Sequence, residues 1–143
     1  VHTLFNRILT FPLHTVAAIN GHAFGAAAML ATAHDYRVMR NDRGYFCFPE
    51  VDINIPFTPG MAALIQAKLS PQTAVTAMTT GHRYGGAEAL TSGIVDDTAP
   101  ESDLVDVAIT RLSPIIGKSP DTLGAIKTTM YTAVTAVLQQ GRN

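Results

Sequence analysis

The stretch Val16–Met29, which reads VAAINGHAFGAAAM, decides how the rest of the 143-residue chain is arranged. It begins as an apolar run with β-branched residues, which is typical of a buried strand. Asn20-Gly21 then signals a turn, and Gly25 is followed by an alanine-rich run that favours a helix to about Ala33. We therefore expect a strand, a glycine turn and the start of a helix in succession.

A corner of this kind presents backbone N–H groups, because the first N–H groups of a helix have no partner within it. The helix dipole adds partial positive charge at the same place. Such a corner can bind an anion, or an oxygen that gains negative charge during a reaction, and the second case is our hypothesis. The alternative is a corner that only lets chain segments pack closely. The spacing matches neither a dinucleotide fingerprint nor a phosphate-binding loop.

The composition indicates one domain and excludes several classes of partner. Ten basic residues nearly balance eleven acidic ones, so no strong field favours nucleic acid or an anionic membrane surface. The single cysteine, Cys47, excludes an internal disulfide framework and fits a reducing compartment, and it is expected to be a small buried hydrophobe. The apolar run 15–33 contains Asn20, His22 and two glycines, so we do not expect it to span a membrane.

The hydrophobic pattern predicts an α/β core followed by a helical tail. Helices are predicted over 4–9, 26–33, 61–69, 70–80, 86–91, 103–116 and 119–140. Strands or extended segments are predicted over 15–19, 36–39, 45–48 and 94–95, with an ordered, proline-rich loop over 49–60.

One carboxylate stands apart from the other acidic residues. Glu50 follows Tyr-Phe-Cys-Phe-Pro and precedes a valine, whereas most other acids fall in turns or at helix starts. An acid sheltered from water is a usable proton shuttle near neutral pH, and the alternative is a loop acid that points to solvent. No metal site is expected, because His14, His22, His34 and His82 do not show the spacing of metal ligands.

Four segments resemble the crotonase superfamily, the enoyl-CoA hydratase/isomerase family. They are TVAAINGHAFGA at 15–26, DYRVM at 35–39, FCFPEVDI at 46–53 and TGHRYGGAEALTSGIVD at 80–96. The resemblance implies a ClpP/crotonase-like ββα spiral core, partial and spanning 1–97, and a helical trimerisation region at 98–143. It runs over nearly the whole chain, which resembles the C-terminal half of a family member.

The resemblance also implies a reaction and its site. Family members bind acyl-CoA thioesters and stabilise a thioester enolate with two backbone N–H groups, one of which maps onto Ala26, directly after Gly25. Hydratases carry one catalytic acid where this chain has Met29, and a second acid that matches Glu50. A chain that keeps only the second acid resembles the 3,2-enoyl-CoA isomerase branch, in which one base moves a proton between two carbons.

Further residues and partners follow from the same resemblance. Met29, Phe57 and Met61 are expected to line an acyl pocket, and Lys127 resembles positions that reach the coenzyme A of a neighbouring subunit, with a solvated helix face as its alternative. Coenzyme A enters as the thioester substrate, and no separate cofactor is implied. Two other functions stay open: hydration or another crotonase reaction assisted by Asp52, and a catalytically impaired or assembly subunit.

The implied assembly is a homo-oligomer, a trimer or hexamer, with a separate chain supplying the family's N-terminal half as a further option. The implied location is the cytoplasm in a bacterium, and the mitochondrion or peroxisome in a eukaryote.

Overall fold

The structure is a computed structural model in which residues 1–140 are described. Its helices are α1 (His2–Leu9), α2 (Ala26–Ala33), α3 (Pro59–Lys68), α4 (Pro71–Thr80), α5 (Gly86–Thr91), α6 (Leu104–Leu112), α7 (Pro120–Met130) and α8 (Thr132–Gln140). Its strands are β1 (Val16–Ile19), β2 (Ala23–Phe24), β3 (Tyr36–Arg40), β4 (Phe46–Cys47) and β5 (Asp97–Ala99). The predicted α/β class with a helical C-terminal part is confirmed.

The strands form two parallel sheets. In the larger sheet β3 is central, with β1 and β5 on either side, and Val16 pairs with Tyr36 while Val38 pairs with Asp97. In the smaller sheet β2 pairs with β4 through Ala23 and Phe46. Because the two strands of this small sheet run the same way, the residues that follow β2 and β4 meet at one edge.

Helices cover the core on the side where α1, α2, α3 and α8 pack together. Phe5, Leu9, Leu64 and Leu138 are fully buried among them. Helices α3 and α8 approach each other closely, since a Cβ placed on Gly60 would lie 3.1 Å from the Cα of Leu138. The last helix therefore folds back onto the α/β core.

One predicted strand is wrong, and one observed strand was not predicted. The extended segment expected at 94–95 is wrong: the N–H groups of Ile94 and Val95 both donate to the Ala89 carbonyl and close α5. The strand lies a few residues later, at Asp97–Ala99. Strand β2 was not predicted, because two residues inside a glycine turn carry no periodic pattern.

The helical tail also differs from its prediction. The helix expected over 103–116 ends at Leu112 and continues as a short 3-10 turn, because Pro114 has no N–H to donate. The helix expected over 119–140 is divided at Tyr131, and just after the division the Thr132 hydroxyl donates to the Thr128 and Thr129 carbonyls.

The proposed boundary between 1–97 and 98–143 stays a prediction, and residues 141–143 of the second range lie outside the described residues. Helix α6 packs on β1 and β3, and α8 packs on α1 and α3. Both ranges therefore contribute to the packing around one core.

Candidate functional site

The glycine turn forms a corner with a free amide at its tip. The Gly25 N–H donates to the Cys47 carbonyl (3.0 Å), which continues the β2–β4 pairing to the end of β2. Gly25 then caps α2 with φ +59°, a left-handed conformation that favours glycine. The first helical hydrogen bond runs from the Met29 N–H to the Gly25 carbonyl (3.0 Å), and no described residue accepts a hydrogen bond from the Ala26 N–H.

Glu50 lies beside this corner. It follows β4 as Gly25 follows β2, and parallel pairing brings both strand ends to the same edge. A Cβ placed on Gly25 would lie 3.6 Å from Glu50 Oε2. The absence of a side chain at Gly25 therefore leaves the space between the carboxylate and the amide that follows.

The surroundings of the Glu50 carboxylate are sheltered. The residue is 9% exposed, and its Oε1 is buried without a hydrogen-bond partner in the described part of the chain. A buried polar atom without a partner costs about 1–3 kcal/mol, so proteins rarely keep one without a use. An acceptor oxygen in this state is available to take a proton from a bound molecule.

The turn that carries Glu50 is fixed on both sides. Its main chain is closed by the Ile55 N–H, which donates to the Glu50 carbonyl (3.0 Å). Ahead of it, Phe46 exchanges two backbone hydrogen bonds with Tyr84 (2.8 and 2.9 Å) in an antiparallel bridge. Strand β4 is thus held by β2 on one edge and by Tyr84 on the other.

Tyr84 was not predicted as part of the site. It is buried, and the sequence marks it only as part of the family-like segment 80–96. No local signal in the sequence pairs it with β4, because an isolated bridge between distant residues has no periodic pattern.

The three residues expected to line an acyl pocket belong to one hydrophobic cluster. Met29 lies one turn along α2 from Ala26 and is fully buried, whereas Phe57 and Met61 are partly buried against the same cluster. The Phe57 ring meets the Phe48 ring edge-on at 6.0 Å. Met29 thus brings the hydrophobic core to within one helical turn of Ala26, and the acyl-pocket role of the three residues stays a prediction.

Asp52 takes a different position from Glu50. It is an exposed residue whose carboxylate packs against Gly81, the left-handed cap of α4, so closely that a Cβ on Gly81 would collide with it. Neighbouring Cys47 is buried, as expected, and its thiol donates to the Gly81 carbonyl (3.4 Å), while burial raises the pKa of that thiol.

Lys127 lies away from this corner. Its ammonium forms an ion pair with Asp35 (2.5 Å) and donates to the Leu13 carbonyl (2.8 Å). Asp35 and Leu13 lie in the segments that lead into β3 and β1. The residue is 4% exposed, so the solvated helix face considered for it is wrong. The structure therefore does not bring Lys127 to the corner of Gly25 and Glu50, and its suggested role towards a neighbouring subunit stays a prediction.

Residues 1–140 contain neither a metal-binding cluster nor a membrane-spanning helix. No group of three or more His, Cys, Asp or Glu side chains in this range could hold a metal ion. None of the helices in the same range is both long enough and apolar enough to cross a bilayer.

Comparison with known proteins gives a family match over the whole chain. The family model described as enoyl-CoA hydratase/isomerase matches residues 1–143. The chain is 35% identical to the peroxisomal enoyl-CoA delta isomerase 2 of Arabidopsis thaliana over 136 residues, which is 92% of this chain and 57% of that protein. It is 36% identical to the carnitinyl-CoA dehydratase of Shigella flexneri over 114 residues, or 78% of this chain and 42% of that protein.

Comparison of structures finds the same fold in a solved isomerase. The crystal structure of human mitochondrial delta3-delta2-enoyl-CoA isomerase superposes with a TM-score of 0.87 at 23% identity, covering 97% of this chain and 57% of that one. The crotonase-type fold is therefore shown. The chain spans about half the length of the curated relatives it matches, namely 57% and 42% of the two named above.

Proposed function

The chain belongs to the enoyl-CoA hydratase/isomerase family, and from this premise we propose that it acts as an acyl-CoA double-bond isomerase, converting 3-enoyl-CoA to 2-enoyl-CoA. The observation that carries the proposal is the position of Glu50, whose unpartnered carboxylate lies beside the corner that presents the Ala26 amide. The isomerase relatives support the same assignment.

In this mechanism the thioester carbonyl oxygen accepts a hydrogen bond from the Ala26 N–H. Glu50 takes a proton from C2, between the carbonyl and the double bond, and the electron pair of the C–H bond forms a conjugated enolate. The amide stabilises the negative charge on the oxygen, as at a helix N-terminus in general. The protonated Glu50 then returns its proton to C4, which leaves the double bond between C2 and C3.

In the same proposal, apolar residues of the core supply the acyl site. Met29, Phe57 and Met61 form the wall against which the chain of the substrate packs. Burial of apolar surface contributes about 25 cal/mol per Å², so each covered methylene adds about 0.8 kcal/mol to binding. Exclusion of water by the same wall strengthens the hydrogen bond to the enolate oxygen.

Hydration is the second candidate, and the carnitinyl-CoA dehydratase relative favours it. Hydration needs one group to activate water and another to deliver a proton, and the only further acid near Glu50 in sequence is Asp52. The Asp52 carboxylate packs against Gly81, whereas the position that carries an acid in hydratases holds the buried Met29. A single base therefore fits the geometry better than a pair.

The second oxyanion amide of family members has no match in these residues, so we propose that it comes from polypeptide outside them, either in the same protein or in a separate chain. The proposed assembly is a homo-oligomer. By analogy with the relatives, the proposed location is a peroxisome or mitochondrion in a eukaryote and the cytoplasm in a bacterium.

The test is a direct assay with 3-hexenoyl-CoA, in which 2-hexenoyl-CoA is followed by its conjugated absorbance. We expect Glu50→Gln to lower the rate at least about 100-fold, because general bases contribute about 10²–10⁴-fold. Glu101→Gln is the matched control: its carboxylate is exposed and pairs with Arg40, so the rate should not change.

The same samples separate the alternatives. Formation of 3-hydroxyhexanoyl-CoA from 2-hexenoyl-CoA, lost in Asp52→Asn, would establish hydration instead. A folded, self-associating chain that turns over neither thioester would establish the impaired or assembly subunit.

A further inference from the structure

A cavity of about 260 Å³ lies away from the proposed site, between the end of α3 and the face of α7. Its apolar wall comes from α7 and the residue after it, namely Leu123, Ile126, Met130 and Tyr131. Lys68, the last residue of α3, lines the cavity together with the Asp35–Lys127 ion pair. The cavity thus combines apolar side chains with two amines.

The two lysines of the cavity differ in how their charge is neutralised. Lys127 forms an ion pair with Asp35 (2.5 Å) and donates a hydrogen bond to the Leu13 carbonyl (2.8 Å). Lys68 donates to the His34 carbonyl at 3.2 Å, an oxygen that already accepts from the Arg37 guanidinium at 2.9 Å. Among residues 1–140, Lys68 therefore has no carboxylate within ion-pair distance, although its ammonium lies 4.9 Å from the centre of the Tyr131 ring.

These surroundings favour the neutral amine. Burial lowers the pKa of Lys68 to about 8, from 10.5 for an ordinary lysine. Arg37 and Lys127 act in the same direction, whereas Asp35 and Asp96 oppose it. At pH 7 about one-tenth of an amine with a pKa near 8 is neutral. A lysine desolvated next to other cations is activated as a nucleophile in this way.

We propose that Lys68 is an acyl-acceptor site that is modified by acyl thioesters of coenzyme A, with the acyl chain against the apolar wall of α7. The choice of coenzyme A thioesters rests on the proposed function. The lone pair of Nζ attacks the thioester carbonyl carbon, the C–S bond breaks, and the thiolate of coenzyme A leaves and takes a proton from the nitrogen. The products are an Nε-acyl-lysine and free coenzyme A, so no other reactant is needed.

Geometry selects Lys68 among the amines of the chain. The sequence contains three lysines: Lys68, Lys118 and Lys127. Lys118 is exposed in the loop before α7 and does not line this cavity, whereas Lys127 is buried in its ion pair. Acylation of Lys68 removes the positive charge beside Tyr131 and fills the cavity, which would couple the chain to the local level of acyl thioester.

The test uses the purified full chain and octanoyl-CoA, a saturated thioester that cannot be isomerised. After incubation at pH 7, 8 and 9, peptide mass mapping measures octanoyl groups on each lysine and on the N-terminus. We expect Lys68 to be acylated at least about tenfold faster than Lys118, with a rate that reaches half its plateau near pH 8.

Two variants complete the experiment. Lys68→Arg keeps the positive charge and should abolish the modification while leaving the fold unchanged. Glu50→Gln should not alter the rate at Lys68, so loss of isomerisation and loss of acylation are distinguished. Equal labelling of Lys68 and Lys118, or labelling of Lys118 alone, would overturn the proposal.

Discussion

Single residues in this chain carry charge in two contrasting ways. Arg37 is buried, and its guanidinium donates to three backbone carbonyls, those of Ile94 (2.6 Å), Thr32 (3.1 Å) and His34 (2.9 Å). These bonds satisfy a charge that burial would otherwise make costly. Glu50 Oε1 has no such partner, and Lys68 donates to one carbonyl that it shares with Arg37, so these are the groups to which we assign chemistry.

The pH dependence of stability offers a test at the residue scale. Lys68 titrates near pH 8 in the folded chain and near 10.5 when unfolded, so between these values the unfolded chain holds more protons. The contribution of Lys68 to the free energy of unfolding therefore rises with pH across this range and is lost again as pH falls through 8. The full change is up to about 3 kcal/mol.

We expect Lys68→Met to remove this dependence. Denaturant unfolding at pH 7, 8, 9 and 10 should show wild type gaining stability relative to Lys68→Met as the pH rises. Lys118→Met, at an exposed position, serves as the control and should follow wild type. A difference between wild type and Lys68→Met that stays constant with pH would contradict the assignment.

At the scale of elements, one added methyl group can test the contact between α3 and α8. A Cβ on Gly60 would lie 3.0 Å from Leu138 Cδ2 and 3.1 Å from Leu138 Cα. Replacing glycine by alanine inside a helix ordinarily stabilises it by about 0.5–1 kcal/mol. Here we expect the opposite sign, a loss of about 1–3 kcal/mol, because backbone atoms of α8 must move.

The measurement is thermal unfolding followed by circular dichroism. Gly85→Ala is the matched control, since a Cβ at that position meets nothing within 4 Å and the backbone φ is −71°. A melting temperature for Gly60→Ala equal to or above that of wild type would mean that α8 does not pack on α3 as described.

The same elements show how far sequence reasoning reaches. Strand β1 and helix α2 were predicted nearly to the residue, because apolar runs and glycine turns are local signals. The pairing of Lys127 with Asp35 was not predicted, because the two residues are far apart in sequence and only the docking of α7 brings them together. The division of the last helix depends on competing threonine hydrogen bonds, which propensity alone does not reveal.

The candidate site divides in the same way. Glu50 stood out because it is an acid in an apolar context, and Gly25 because it closes a turn. Their proximity, 3.6 Å between a Gly25 Cβ and Glu50 Oε2, follows from the parallel pairing of β2 with β4. Strand β2 was not predicted, so the residues could be named from the sequence while the reason for their meeting could not.

At the scale of the whole molecule, the exposed face of α6 bears on the proposed homo-oligomer. Val105 and Ile109 are one turn apart and are 61% and 59% exposed, while Leu104 and Ala108, about 100° round the helix, are buried. Covering a branched side chain in an interface contributes up to about 1.5–3 kcal/mol. Isolated exposed hydrophobics are common, so only a comparison can assign this face to assembly.

We therefore expect the purified chain to sediment at a multiple of its 15.2 kDa mass, and Val105→Asp combined with Ile109→Asp to shift it towards the monomer. The introduced carboxylates would have to be desolvated in an apolar interface, which costs more than the interface gains. Val75→Asp provides the control, because Val75 is 55% exposed on α4, outside the tail to which assembly is assigned. Equal dissociation by the α4 and α6 variants would show a general effect of charge, and unchanged sedimentation of the α6 variant would move the interface to another face.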